Sequence, residues 1–186
     1  MKKKVFLGLA GLVVVLVVLQ LIPIEMTNPP ANGALTMPTG DTGQALEAAC
    51  MDCHSNETVW PWYSRVAPAR FLIADHVNEG RSHLNFSTWG QRTPERQAEK
   101  WEEIAELAQE GEMPLWSYTL MHPAARLTDA QRQLIADWAN AERARLEASG
   151  VVPPSEGDEG TAQGEREGEE SGEREEGSER GERGQR

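Results

Sequence analysis

The two cysteines of the chain lie three residues apart and are followed at once by a histidine, in the run Cys50-Met51-Asp52-Cys53-His54. This CxxCH spacing is the one that attaches a c-type haem covalently. Each thiol can form a thioether with a vinyl group, and the histidine can give an axial nitrogen to the iron. Because the vinyl groups and the iron belong to one rigid macrocycle, their protein ligands must lie close together. The motif therefore predicts one covalently attached haem c, bound by Cys50, Cys53 and His54.

Two other uses of paired cysteines fit this sequence less well. A structural zinc site needs four ligands, and Cys50, Cys53 and His54 have no fourth partner at the usual spacing. A thioredoxin-like CxxC needs a strand–helix–strand context, which the sequence lacks. No further cysteine is present for a disulfide framework, so stability must come from a packed core, a cofactor or both. The six tryptophans, all between positions 60 and 138, suit a core around a large flat ligand.

The first 25 residues predict a membrane anchor. Residues 5–24 are apolar apart from Gln20, and three lysines precede them. A helix of this length spans the hydrocarbon core of a bilayer, which is about 30 Å thick. The lysines predict a cytoplasmic N-terminus, with the rest of the chain on the periplasmic or extracytoplasmic side of the cytoplasmic membrane. A cleaved signal peptide would have a shorter apolar region and small residues at its cleavage site, which residues 21–26 lack.

The remainder divides into a linker over residues 26–42, an all-α domain over 43–150 and a tail over 151–186. The linker is rich in proline and glycine and has no helical period, so it is interpreted as a tether. Beyond residue 154 the tail carries twelve acidic residues and five arginines, which give it a net charge of −7. The net charge of the whole chain is −12. The tail has almost no apolar residues and is predicted to be disordered. It could steer a basic partner, although a solvated extension is the simpler interpretation, and the acidic balance argues against nucleic acid.

About four helices are predicted in the domain. The first covers residues 44–53, with Asp41 or Thr42 as its N-cap, and the second covers 69–79 and ends at Gly80. The third starts at Thr93-Pro94, carries an apolar stripe and ends at Gly111. The fourth starts with a capping box and runs to about residue 149. Its predicted apolar face contains Leu134, Ile135, Trp138, Ala141 and Leu146. Residues 58–68, 81–89 and 112–126 are predicted loops.

The residues around the motif resemble the bacterial haem-binding domain family, a small cytochrome-c-like group, and more generally single-haem class I cytochromes c. The similarity covers about residues 43–146. The matching segments are 54–68, 76–81, 84–87, 113–115, 122–123 and 127–128. The resemblance implies haem binding and a helical fold around one haem. It does not identify a redox partner, and it leaves the anchor and the tail unexplained.

The sixth iron ligand is open between two residues. Met113 is the first choice, because it precedes Pro114 in a loop before the last helix, and a thioether opposite His54 would raise the potential of the haem. His76 is the main alternative and would give bis-histidine ligation. Weaker candidates are His83, Met121 and His122. Arg65, Arg70 or Arg81 could pair with haem propionates or could be solvated. Trp60, Trp62, Tyr63, Trp89 and Trp116 are predicted to line the haem pocket or the core.

Three classes of function fit these residues. A one-electron carrier, not an enzyme, is the first, because one haem with two axial ligands transforms no substrate. A haem-based sensor or interaction module is the second. A haem peroxidase is the third, and it would need an open or displaceable sixth position with acid–base groups above it. Access of carbon monoxide to the reduced iron separates these classes, because a carrier with a firm sixth ligand binds it poorly.

Overall fold

The computed structural model describes residues 2–153, and these are all-helical, as predicted. Seven α-helices follow one another along the described chain: α1 Lys2–Leu21, α2 Gly40–Ala49, α3 Met51–His54, α4 Ala69–His83, α5 Pro94–Glu110, α6 Trp116–Met121 and α7 Asp129–Ala148. Three short 3-10 segments lie between them, at Trp62–Arg65, Phe86–Gln91 and Pro123–Ala125. The acidic tail beyond residue 153, which is predicted to be disordered, lies outside the described residues.

Helix α1 is the one helix in the described chain that is long and apolar enough to cross a membrane, with a mean hydropathy of 2.5. Its 20 residues give a length of about 30 Å. None of its side chains is buried against the rest of the protein. It ends at Leu21, three residues before the end of the predicted apolar segment, because Pro23 has no amide hydrogen to continue the helical hydrogen bonds.

The core of the domain lies where α5 and α7 pack against each other. Trp101 of α5 contacts Trp89 and Trp138, with ring centroids 4.3 Å and 4.8 Å apart respectively. Helix α2 packs on the same pair through Leu46, which is fully buried beside Ile135. These apolar contacts leave one end of α2 against the core, and the CxxCH motif follows directly from that end.

The long helices begin and end largely where the sequence predicts. Thr93 caps α5 by accepting a hydrogen bond from the backbone of Arg96, and Gly111 ends it at a φ of 77°. Thr128 and Gln131 form the predicted capping box of α7. The predicted stripe of α5 is confirmed, because Ala98, Trp101, Ala105 and Ala108 are buried and Ile104 is partly buried.

Several local predictions are wrong. The first helix starts at Gly40, with Thr39 as its N-cap, and is interrupted at Cys50, so that α3 is a separate turn. Gly80 does not end α4, which continues to His83. Residues 112–126, predicted as a loop, contain α6, which has only six residues and is too short to show a helical period.

The buried face of α7 also differs from the prediction. Ile135, Ala136 and Ala139 are buried, and Trp138 and Leu146 contact the core, whereas Leu134 and Ala141 point outward. Alanine carries little hydrophobic signal in a sequence pattern. It is nevertheless the residue that allows α7 to lie close to α5, so the core selects alanines over the larger Leu134.

The segment predicted as a tether connects α1 to α2 without regular structure, and it also packs on the domain. Its backbone bonds to the Phe86–Gln91 segment at three places: Asn32 N to Ser87 O, Leu35 N to Phe86 O, and Gly90 N to Gly33 O, over 2.7–2.9 Å. Gly33 and Gly90 approach so closely that a Cβ on Gly33 would lie 3.3 Å from the Cα of Gly90. These contacts are set by tertiary packing, which no local pattern encodes.

Candidate haem-binding site

The ring of His54 is held by two backbone carbonyls, which both lie at its Nδ1 atom. Its Nδ1 lies 3.0 Å from Gly80 O and 3.1 Å from Leu84 O. Carbonyl oxygens only accept hydrogen bonds, so Nδ1 carries the hydrogen and Nε2 keeps its lone pair. Burial lowers the pKa of His54, while the two carbonyls oppose that shift. The imidazole is therefore neutral at pH 7 and oriented as an iron ligand requires.

Gly80 brings α4 against the motif. A Cβ at this position would lie 2.7 Å from the carbonyl oxygen of Cys53, closer than non-bonded atoms tolerate. The absence of a side chain thus lets the end of α4 reach the motif and present its carbonyl to His54. The sequence prediction read this glycine as a helix end, and the structure assigns it to close helix packing instead.

The two thiols of the motif are unpaired and partly buried. Burial raises the pKa of Cys50 to about 12, and the neighbouring Cys53 adds to the shift. Burial also raises the pKa of Cys53 to about 11, with Asp52 adding to the shift and Arg81 opposing it. Cys50 packs against the buried residues around Trp101 and also against those around Leu46, so this thiol lies directly on the packed core. Protonated, unpaired thiols at this spacing fit thioether formation with a haem.

Asp52, between the two cysteines, links the motif to α6. Its carboxylate accepts hydrogen bonds from the backbone of Val59 at 2.9 Å and from the hydroxyl of Tyr118 at 2.7 Å. Burial and this carboxylate raise the pKa of Tyr118 well above its ordinary value. Sequence reasoning missed both residues. Asp52 occupies one of the two positions that the CxxCH pattern leaves undefined. Tyr118 lies 66 residues further along the chain, and no local pattern indicates the contact.

Two of the three arginines considered for the propionates donate to protein groups. Arg81 donates four hydrogen bonds of 2.7–2.9 Å, to Ser55 O, Thr27 O, the side chain of Asn28 and the hydroxyl of Thr58. It thereby joins the linker to the segment after the motif. Arg70 donates to the backbone oxygen of Gln20, at the end of α1. Arg65 is exposed, and its carbonyl also bonds to Gln20.

The two main candidates for the sixth ligand lie on different elements. His76 is partly buried on α4, one helical turn before Gly80. Met113 is partly buried just after α5, and its backbone bonds to Leu107 O and to the guanidinium of Arg132, both at 3.2 Å.

The weaker candidates differ in how they are held. Both ring nitrogens of His122 are engaged, Nδ1 donating to Tyr118 O at 3.0 Å and Nε2 accepting from the Tyr63 hydroxyl at 3.2 Å. The ring also stacks on Tyr118. His83 and Met121 are exposed.

The predicted aromatic lining divides into two groups. Trp89 is buried in the core, and Trp60 and Tyr63 are partly buried. Trp62 and Trp116 are instead exposed, at 75% and 79% of their surface. The core part of the prediction is confirmed for Trp89. For the other four residues, the predicted role in lining the haem pocket stays a prediction.

These features define a helical haem-binding protein, and comparison with known families agrees. Residues 14–141 match the family of haem-binding domains, so the chain belongs to that family. The match includes the motif, α4 to α6 and most of α7. Comparisons with curated proteins and with solved structures gave no match. Haem is therefore the cofactor, and His54 with its two cysteines is the part of the chain best suited to hold it.

Proposed function

We propose that this protein is a membrane-anchored c-type haem protein that carries single electrons. The observation that supports the proposal most strongly is the geometry of His54, whose Nδ1 is held by two carbonyls while Nε2 remains available beside two unpaired thiols. Haem supplies a one-electron iron couple when it is bound. The chain's own contribution is to hold the macrocycle through Cys50 and Cys53, to orient the imidazole and to cover the site with the core.

Met113 is the sixth ligand in this proposal. The carbonyls that bind Nδ1 of His54 belong to the end of α4 and the residue after it, so α4 lies behind the ring. His76 is on that same helix, whereas Nε2 points away from the groups that hold Nδ1. Met113 lies in the segment after α5, and its carbonyl accepts a hydrogen bond from Arg132 of α7. This arrangement argues against His76, which shares a helix with Gly80, and Met113 remains the first candidate on a different element. Its soft sulfur would raise the reduction potential of the iron.

Covalent attachment is tested by mass and by haem staining after denaturation. The protein made with a haem-attachment system should keep one haem on a denaturing gel, and the Cys50→Ala, Cys53→Ala variant should lose it. His54→Ala should keep the covalent haem, since both thioethers remain, but change its absorption spectrum. A wild-type protein that releases all its haem on denaturation would contradict covalent attachment while leaving haem binding intact.

Electron carriage is tested by redox titration together with ligand access. We expect one reversible one-electron transition and slow or absent binding of carbon monoxide to the reduced protein. Met113→Ala should open the iron to carbon monoxide and abolish the charge-transfer band of a thioether-bound ferric haem, whereas His76→Ala should change neither. Rapid binding of carbon monoxide by the unaltered protein would favour the sensor or peroxidase alternatives.

The proposed anchor consists of α1, whose first three residues are lysines. N-terminal sequencing of the mature protein should find α1 still present, because its C-terminal end has no signal-peptidase site. A topology reporter fused after residue 150 should report an extracytoplasmic location. A cytoplasmic signal from that reporter would contradict both the orientation and the site of haem attachment.

A further inference from the structure

The end of α1 is fixed to the haem domain by one residue, Gln20. Its side-chain nitrogen donates to Arg65 O at 2.9 Å, and its side-chain oxygen accepts from the backbone of Ala67 at 3.0 Å. Its own carbonyl accepts from the guanidinium of Arg70 at 2.8 Å. The first two bonds satisfy the only strongly polar side chain of the apolar segment, and the third satisfies the backbone carbonyl of the same residue. They also set the domain directly against the point where the helix ends.

Large apolar side chains are exposed around this contact. Trp62, Val66 and Leu72, here called the apolar corner, expose 75%, 48% and 53% of their surface. They flank Arg65, Ala67 and Arg70 in the sequence: Trp62 lies in the 3-10 segment before α4, Val66 follows that segment and Leu72 lies in the first turn of α4. None of the three side chains belongs to the packed core of the domain. Tryptophan in particular is enriched where a membrane meets water.

The charge of the same segment differs from that of the chain. Residues 58–74 contain two arginines and no acidic residue, in a protein of net charge −12. Arg65 is exposed beside the apolar corner. Apolar side chains with arginines among them match the interface of a bilayer, where acyl chains meet phosphate groups. An acidic protein would otherwise be repelled from an anionic membrane surface.

We propose that the apolar corner of the haem domain rests in the interface of the membrane that α1 crosses. The inference depends on the proposed anchor. Because Gln20 holds the corner at the end of a helix about as long as the bilayer is thick, the corner lies at the level of the phospholipid headgroups. The partner of this surface is therefore phospholipid, not protein.

This contact would also limit the height of the haem site above the membrane. Arg70, which bonds to Gln20, and Gly80, which contacts Cys53, lie on the same helix ten residues apart. At 1.5 Å per residue the two are separated by about 15 Å along α4. This distance is an upper limit on the height of Gly80 above Arg70, and it keeps the motif close to the membrane surface.

The test uses the full-length, haem-loaded protein in nanodiscs of phosphatidylcholine and phosphatidylglycerol. The photoreactive residue benzoylphenylalanine replaces Trp62, or Val14 within α1, or the exposed Leu134 on α7 as a control. After illumination, mass spectrometry identifies the adducts. We expect lipid adducts at positions 14 and 62 and none above the dark background at position 134. An unchanged haem spectrum shows that each variant has folded.

The outcomes separate the inference from the anchor on which it rests. Adducts at position 14 without adducts at 62 would overturn the docking and leave the anchor intact. The absence of lipid adducts at positions 14 and 62 would overturn both the docking and the anchor. Adducts from position 62 to haem or to protein, in place of lipid, would also overturn the inference. Gln20→Leu should lose most of the adduct at position 62 while keeping that at 14, and an unchanged yield at 62 would refute the role of Gln20.

Discussion

Gly80 shows how one missing side chain can position the imidazole of His54. It lies where α4 meets the carbonyl of Cys53, and its own carbonyl binds Nδ1 of His54. Any Cβ here forces the helix and the motif apart. Two effects would follow together, loss of packing and misorientation of the imidazole, because one residue serves both contacts.

Gly80→Ala should therefore destabilise the protein by about 1–3 kcal/mol, the usual cost of overpacking, and shift the haem absorption bands. Glu79→Ala, on the exposed side of the same helix, is the matched control and should leave both unchanged. Denaturant unfolding and absorption spectra of the two variants measure this. Equal stabilities would show that α4 can move away from the motif without cost.

The two thiols predict a pH dependence for the chain to which haem has not been attached. Their folded pKa values of about 12 and about 11 exceed the ordinary 9.0, so the folded state binds these protons more tightly than the unfolded state. The stability they contribute is complete below pH 9 and is lost as the pH rises through the folded pKa values. Unfolding by urea from pH 8 to 11 should show this fall, with a smaller slope for Cys50→Ala, Cys53→Ala. Identical slopes would refute it.

At the level of elements, the helix starts differ in how they are capped. Thr93 and Thr128 each accept a hydrogen bond from the first turn of their helix, whereas Thr39, at the start of α2, makes no side-chain cap bond. The same residue type therefore stabilises two helices and leaves a third uncapped. Helix α2 depends instead on the burial of Ala45 and Leu46.

Replacing each threonine with alanine should separate these cases. Thr93→Ala and Thr128→Ala should each cost about 1 kcal/mol of unfolding free energy, the usual contribution of an N-cap. Thr39→Ala should cost almost nothing, since it removes no cap bond. Denaturant midpoints of the three variants make the comparison. A cost for Thr39→Ala equal to the other two would show that backbone conformation, and not the side-chain bond, sets the effect.

At the level of the whole molecule, the tryptophans divide into a core group and a surface group. Trp101 is 2% exposed and contacts Trp89 and Trp138, whereas Trp116 is 79% exposed on α6. Stability is therefore concentrated where α5 and α7 meet, away from α6. Exposed tryptophans are available for contacts outside the domain.

Trp101→Ala should cost about 3–5 kcal/mol, because it removes a large buried ring and leaves a cavity. Trp116→Ala should change stability by about 0.5 kcal/mol or less, as surface substitutions do. Thermal unfolding of both haem-loaded variants provides the measurement. A large loss of stability from Trp116→Ala would mean that its ring is covered in the functional protein, by haem or by a partner.

Much of the architecture followed from local patterns. The apolar segment predicted α1, the Thr-Pro start and Gly111 predicted α5, and the capping box predicted α7, because caps and periodicity act over a few residues. The same patterns failed for α6, which is too short, and for Gly80, whose helix-ending signal was overridden by packing. Alanines on α7 took the buried positions that the pattern gave to Leu134.

The sequence by itself determined the class of protein: an apolar helix followed by an all-helical domain that belongs to a haem-binding family. Periodicity, caps and composition are enough for the helices, since helix formation is local. Only the tertiary structure decided what surrounds the motif. The carbonyls that bind Nδ1 of His54, the bond from Tyr118 to Asp52, the four bonds of Arg81 and the contact of Gln20 with the domain join residues 23 to 66 positions apart. Such contacts arise when helices pack, and no local pattern records them.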